Sequence, residues 1–192
     1  MEPKEIQGLV ISALAIAFVF SYSGLNLEAL IKNFPLALIG VSTGFILHEL
    51  GHRTVAKHFH AYAEFVMWKT GLLIAVVLAV LTNGAFTFAA PGAVMISERH
   101  DLWGQAIRLS KKRLGLISIA GPLMNLILFS LFMGASFFVM PDAFRFAAQV
   151  NLWLGLFNLI PFPPLDGFKI FAWDKHIWIG IFLVFLALFL VL

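Results

Sequence analysis

His48, Glu49 and His52 lie within Phe45-Ile-Leu-His-Glu-Leu-Gly-His52, an otherwise apolar run. On a helix, residues four apart share a face, so the two imidazoles can converge on one divalent ion. Glu49 sits one position on, about 100° round the helix, within reach of a water at that ion. Zinc suits two neutral imidazoles and one carboxylate with a fourth position open, and the open position separates a catalytic from a structural site. A third ligand is therefore predicted elsewhere in the chain. The alternative is a satisfied polar cluster in a helix interface. Ionisable side chains at bilayer depth are costly, which favours function.

The chain has 192 residues, of which 61% are hydrophobic and 12% charged. Soluble domains have about 45–50% and about 25%. With a mean hydropathy of +0.95, the apolar residues must face lipid or one another. Cysteine is absent, which excludes disulfides and thiolate metal sites and leaves His, Asp and Glu as ligands. The net charge of +3 is explained by membrane topology, argued below, and no nucleic-acid partner is expected.

The positioning elements read as an all-α polytopic membrane protein of about five to six transmembrane helices, a single domain over 1–192. Spans are expected at about 6–22, 35–56, 114–140, 144–160 and 177–192. The rival for 6–22 is a cleaved signal peptide, but the start Met-Glu-Pro-Lys-Glu is not a basic n-region. Pro35 is read as lying in the first turn of the second helix. The apolar run 71–81 has 11 residues, about 16 Å of helix and too short to cross. Thr82-Asn-Gly84 signals a turn, and Ala85 to Ile96 alternates small and large residues about Pro91-Gly92, as a β-hairpin would. The 71–97 stretch is thus expected to be a re-entrant or interfacial insertion containing a β-hairpin, and to line the site.

With the amino terminus in the cytoplasm, eleven Lys and Arg fall inside: Lys4, Arg53, Lys57, Lys69, Arg99, Arg108, Lys111, Lys112, Arg113, Lys169 and Lys175. Only Lys32 and Arg145 fall outside, which supports this orientation. It brings the cytoplasmic ends of the second and fifth elements together, and there His48 and His52 meet Asp166. Asp166 ends a transmembrane run on the correct side, in the proline-broken segment Asn158-Leu-Ile-Pro-Phe-Pro-Pro-Leu-Asp-Gly167, and is the best candidate for the third ligand. An Asp-Gly turn is its alternative. Asn158 lies about two turns earlier, where its amide could stabilise an oxyanion; an interhelical amide bond explains it equally well. Asn125 reads as a packing amide. His58, His60, His100, His176, Glu64, Glu98 and Asp174 read as interfacial residues.

His48-Glu-Leu-Gly-His52 together with Asn158 to Gly167 resembles the site-2 protease family of intramembrane zinc metalloproteases, in its compact form without a PDZ or CBS domain. The resemblance covers most of the chain. It implies that His48, His52 and Asp166 hold one zinc ion, that Glu49 is the general base and that Asn158 assists near the substrate. Gly121-Pro122 and Asn125 resemble the family's Gly-Pro-x-x-Asn element, and 86–96 its membrane re-entrant β-hairpin. Phe168 stands where many members have a second Gly. The implied function is hydrolysis of peptide bonds in transmembrane protein substrates near the cytoplasmic face of a prokaryotic cell membrane. A membrane metal-ion transporter and an inactive protease-like scaffold are the alternatives. Transport would favour ligand sets repeated in two halves, which the sequence lacks.

Overall fold

The structure, a computed structural model, describes residues 2–88, 91–97 and 109–191. Most of the polar stretch at 98–113 lies outside them, and Glu98, Arg99, His100 and Arg108 with it. The elements are α1 (Pro3–Ser21), α2 (Leu27–His58), β1 (Tyr62–Met67), α3 (Lys69–Leu81), β2 (Gly92–Ser97), α4 (Lys111–Ala135), α5 (Pro141–Asn158), α6 (Asp166–Trp173) and α7 (Lys175–Val191).

α2 is the central helix, packed on α1, α4 and α5 and touching both strands. Leu9, Ile16, Val41, Phe45 and Val150 form one apolar core between α1, α2 and α5. Leu152, Leu159, Ile170 and Phe185 form a second, which gathers α5, α6 and α7. Ile39, Leu131, Val184 and Leu190 are exposed on the outside. Helices apolar on both faces bury one face in protein and offer the other to lipid.

Among the described residues, α1, α2 and α4, of 19, 32 and 25 residues, are long and apolar enough to cross a membrane. The sequence reading expects five to six spans. α3 and α7 are apolar but shorter, at 13 and 17 residues. α5 has 18 residues, but Asp142, Arg145, Gln149, Asn151 and Asn158 interrupt its apolar character.

The start of α2 differs from expectation. Asn26 accepts a hydrogen bond from the Ala29 amide and caps the helix there, so Pro35 falls inside α2 and not in its first turn. Pro141 opens α5 as well as following α4, where its missing N–H is harmless.

The sheet is present, but its strands are not two halves of a hairpin turning at Pro91-Gly92. β2 pairs antiparallel with β1, with Phe65 opposite Val94 and Ala63 opposite Ile96. α3 and its following turn lie between the two strands in sequence. Ala63 and Phe65 are buried while Tyr62 and Val66 are exposed, the period of two that a half-buried strand requires. The Phe65 amide donates to Glu5 Oε1 at 3.2 Å, and Arg53 donates to both the Ala63 carbonyl and Glu5. One edge of β1 is thus closed by an ion pair that supplies the acceptor and donor of a missing strand. Because Phe65 and Ala63 turn these groups away from β2, their partners Val94 and Ile96 turn theirs to the far edge of the sheet. There Lys169 Nζ approaches the Val94 carbonyl at 3.4 Å.

Candidate metal centre

The last third of α2 carries His48, Glu49 and His52, all buried. The chain returns to them where α5 ends at Asn158 and the proline-rich segment turns it into α6, with Asp166 as the first helical residue and also buried. A carboxylate in the first turn of a helix is electrostatically favoured. His48 Nε2 lies 3.1 Å and His52 Nε2 2.9 Å from Asp166 Oδ2, and the two Nε2 atoms are 3.0 Å apart. A triangle of this size matches three ligands bound at about 2.0–2.2 Å to one ion. Among the described residues, this is the one group of His, Asp or Glu whose ligand atoms converge this way. Asp166, the residue expected as third ligand, lies beside both histidines, and His58 and His60 are not part of this group.

The outer nitrogens decide what the inner ones can do. His52 Nδ1 lies 2.8 Å from the Ile117 carbonyl, which only accepts, so Nδ1 carries the hydrogen. His48 Nδ1 lies 2.6 Å from Asn125 Oδ1. Asn125 cannot be flipped, because its Nδ2 donates to the Gly44 carbonyl at 3.2 Å. In the neutral imidazole form, the form that binds a metal, both Nε2 atoms therefore turn bare lone pairs toward a carboxylate oxygen. Three acceptors packed this closely in a buried site repel unless positive charge sits among them, and a divalent cation supplies it. Gly121 of α4 makes room for this, since a Cβ there would fall 2.4 Å from His52 Nε2 and 2.5 Å from His48 Nε2.

Glu49 Oε2 is buried without a hydrogen-bond partner among the described residues. It borders a small cavity shared with His48, Asn125, Asn158, Pro91 and Gly92, so the start of β2 forms part of the wall, as expected of the insertion. Asn158 reaches this cavity but not the ligand atoms, and its Nδ2 donates to the Leu154 carbonyl of its own helix at 2.9 Å. Lys169 Nζ stands 4.0 Å from Asp166 Oδ1, the oxygen turned away from the histidines.

The chain is 41% identical over 180 residues to "Putative zinc metalloprotease MJ0611" of Methanocaldococcus jannaschii, an alignment covering 91% of this chain and 87% of the relative. It is 32% identical over 160 residues to "Putative zinc metalloprotease YwhC" of Bacillus subtilis, covering 71% and 67%. The chain belongs to this zinc metalloprotease family. No family model and no solved structure matches it significantly.

For a member of that metalloprotease family, the donor set is coherent: two imidazoles, one carboxylate and a second, unpartnered carboxylate beside them. The sequence reading missed two of the groups that hold this set. Asn125 bonds His48 Nδ1 as well as packing, and Asn151, which bonds Asn125, belongs to no motif that marks it. Polar amides within apolar runs were the available signal.

Proposed function

We propose that this protein is an intramembrane zinc metalloprotease that hydrolyses peptide bonds of transmembrane proteins near the cytoplasmic face. The chain acts as one integral-membrane domain over 1–192, with α5 and α7 completing five spans beside α1, α2 and α4, and with the amino terminus in the cytoplasm of a prokaryotic cell. The observation that carries this reading is the buried convergence of His48, His52 and Asp166 inside apolar helices, with the unpartnered Glu49 carboxylate beside them.

His48, His52 and Asp166 hold one zinc ion. When bound, zinc supplies Lewis acidity that polarises a peptide carbonyl and lowers the pKa of water. Glu49 takes the proton of the attacking water and returns it to the leaving amine nitrogen. Asn158 borders the cavity and has a second Nδ2 hydrogen beyond its bond to Leu154, which serves as the donor to the developing oxyanion. A helical substrate hides its carbonyls, so a segment must first unwind. The far edge of β2 offers backbone groups for it to pair with once Lys169 gives up the Val94 carbonyl, while Glu5 and Arg53 close the edge of β1.

The test uses the full chain in detergent. Bound zinc is counted, and a transmembrane peptide and a soluble peptide are incubated with wild type and Asp166→Ala, with products read by mass spectrometry. The expected result is one zinc per chain, cleavage of the transmembrane peptide near its cytoplasmic end, and loss of both in Asp166→Ala. Cleavage of soluble peptides alone, or undiminished cleavage by Asp166→Ala, overturns the reading.

A further inference from the structure

His48 is held by more than one hydrogen bond. Asn125 and Asn151 are both fully buried, on α4 and α5. Asn151 Nδ2 donates to the Ala147 carbonyl at 2.8 Å, which fixes its amide and turns Oδ1 toward Asn125. Asn125 Nδ2 then donates one hydrogen to Asn151 Oδ1 at 3.2 Å and the other to the Gly44 carbonyl at 3.2 Å. Both donors being used, Asn125 has only an acceptor left for His48. Each amide is pinned by a backbone carbonyl that cannot donate, so the chain of bonds runs in one direction only. It ends at His48 Nδ1.

We infer that Asn125 and Asn151 are positioning residues forming a one-way amide relay that locks His48 in the tautomer protonated at Nδ1, leaving Nε2 bare for the metal. The relay joins α2, α4 and α5. It also brings α5 close to α2, where a Cβ on Gly44 would lie 2.7 Å from Asn151 Oδ1. His52 is held apart from it by the Ile117 carbonyl, so the two ligand imidazoles are oriented through independent partners. Amides that merely packed three helices would need no common polarity. Hydrogen-bond partners of metal-binding imidazoles fix tautomer and orientation, and losing one weakens metal binding by about 10–100-fold. The inference rests on His48 being a metal ligand and is independent of peptide hydrolysis.

The test compares wild type, Asn125→Leu, Asn125→Asp and Asn151→Leu as full chains in detergent. Zinc affinity is measured by chelator competition, and the His48 nitrogen signals by ¹⁵N NMR of the zinc-free protein, with thermal stability recorded alongside. Asn125→Leu is expected to weaken zinc binding about 10–100-fold and to give His48 a mixture of tautomers while His52 keeps its signals. Asn151→Leu should move both readouts in the same direction by less. Asn125→Asp keeps an acceptor for Nδ1–H but loses both donors, so it should retain the His48 tautomer and near-wild-type zinc affinity despite a lower melting temperature. That pattern separates positioning from packing. Unchanged tautomer and zinc affinity in Asn125→Leu overturns the inference, as does a loss in Asn125→Asp as large as in Asn125→Leu. Should Asn125→Leu fail to fold, the Asn125→Asp and Asn151→Leu results decide alone. Peptide cleavage enters none of these readouts, so failure here is distinct from failure of the protease reading.

Discussion

Gly121 faces His52 so closely that a Cβ on it would lie 2.4 Å from Nε2, and His48 Nε2 would be only 2.5 Å away. Ordinary contacts cannot be that short, so a methyl group would displace one or both imidazoles. Alanine is the better helix former by about 1 kcal/mol, and Gly121 lies inside α4. Gly121→Ala should therefore preserve helicity by circular dichroism yet weaken zinc binding by about 100-fold or more, beyond the range of a lost hydrogen-bond partner. Retained zinc affinity would mean that the two histidines do not meet the metal through Nε2.

Glu49 separates holding the metal from using it. Its carboxylate borders the cavity, and Oε2 has no partner among the described residues. Glu49→Gln preserves shape and removes the proton acceptor. Zinc stoichiometry should be unchanged, while kcat falls about 10²–10⁴-fold, the usual size of a general-base contribution. Full turnover by this variant would sink the proposed mechanism.

The parts of this site that follow from local periodicity were legible in the sequence. His48 and His52 fall on one face because four residues nearly complete a turn of α2. Counting Lys and Arg by side predicts Asp166 at the depth of the histidines, and it lies within 3.1 Å of both. The sheet was only half legible: 92–97 is a strand, but its partner 62–67 lies across the whole of α3 and the Thr82-Asn-Gly84 turn, so no hairpin spacing links the two. Pairing of that kind is decided by tertiary packing, and here by Arg53 with Glu5, which is distant in sequence from both Arg53 and β1. The relay was hidden for the same reason. An amide in an apolar run announces that it needs partners without naming them, and Asn125 finds its own on α2 and α5.

Glu5 also shows how the amino-terminal helix holds the sheet. Its Oε1 accepts from both Arg53 and the Phe65 amide, tying α1, α2 and β1 together. Glu5→Leu leaves the Phe65 amide without its acceptor and Arg53 without its counter-ion. The lost amide bond alone is worth about 1–3 kcal/mol where the group stays buried. A lower melting temperature in detergent with intact zinc binding is the expected outcome, because the hydrogen bonds of His48, His52 and Asp166 go to partners outside this cluster. An unchanged melting temperature would show that the ion pair does not hold the strand.

Asn158 offers the sharpest choice between chemistry and packing. Its Nδ2 is bonded within α5 to Leu154, yet the side chain borders the cavity beside Glu49 and His48. An amide that only steadies its own helix contributes little to rate, whereas a donor aimed at developing oxyanion charge contributes about 10²–10³-fold in kcat. Asn158→Ala should lower kcat by that amount while leaving zinc affinity unchanged, since no ligand nitrogen or oxygen bonds to it. Single-turnover kinetics on a transmembrane peptide separate this from slower product release. A change confined to KM would assign Asn158 to substrate accommodation and remove it from the chemical step.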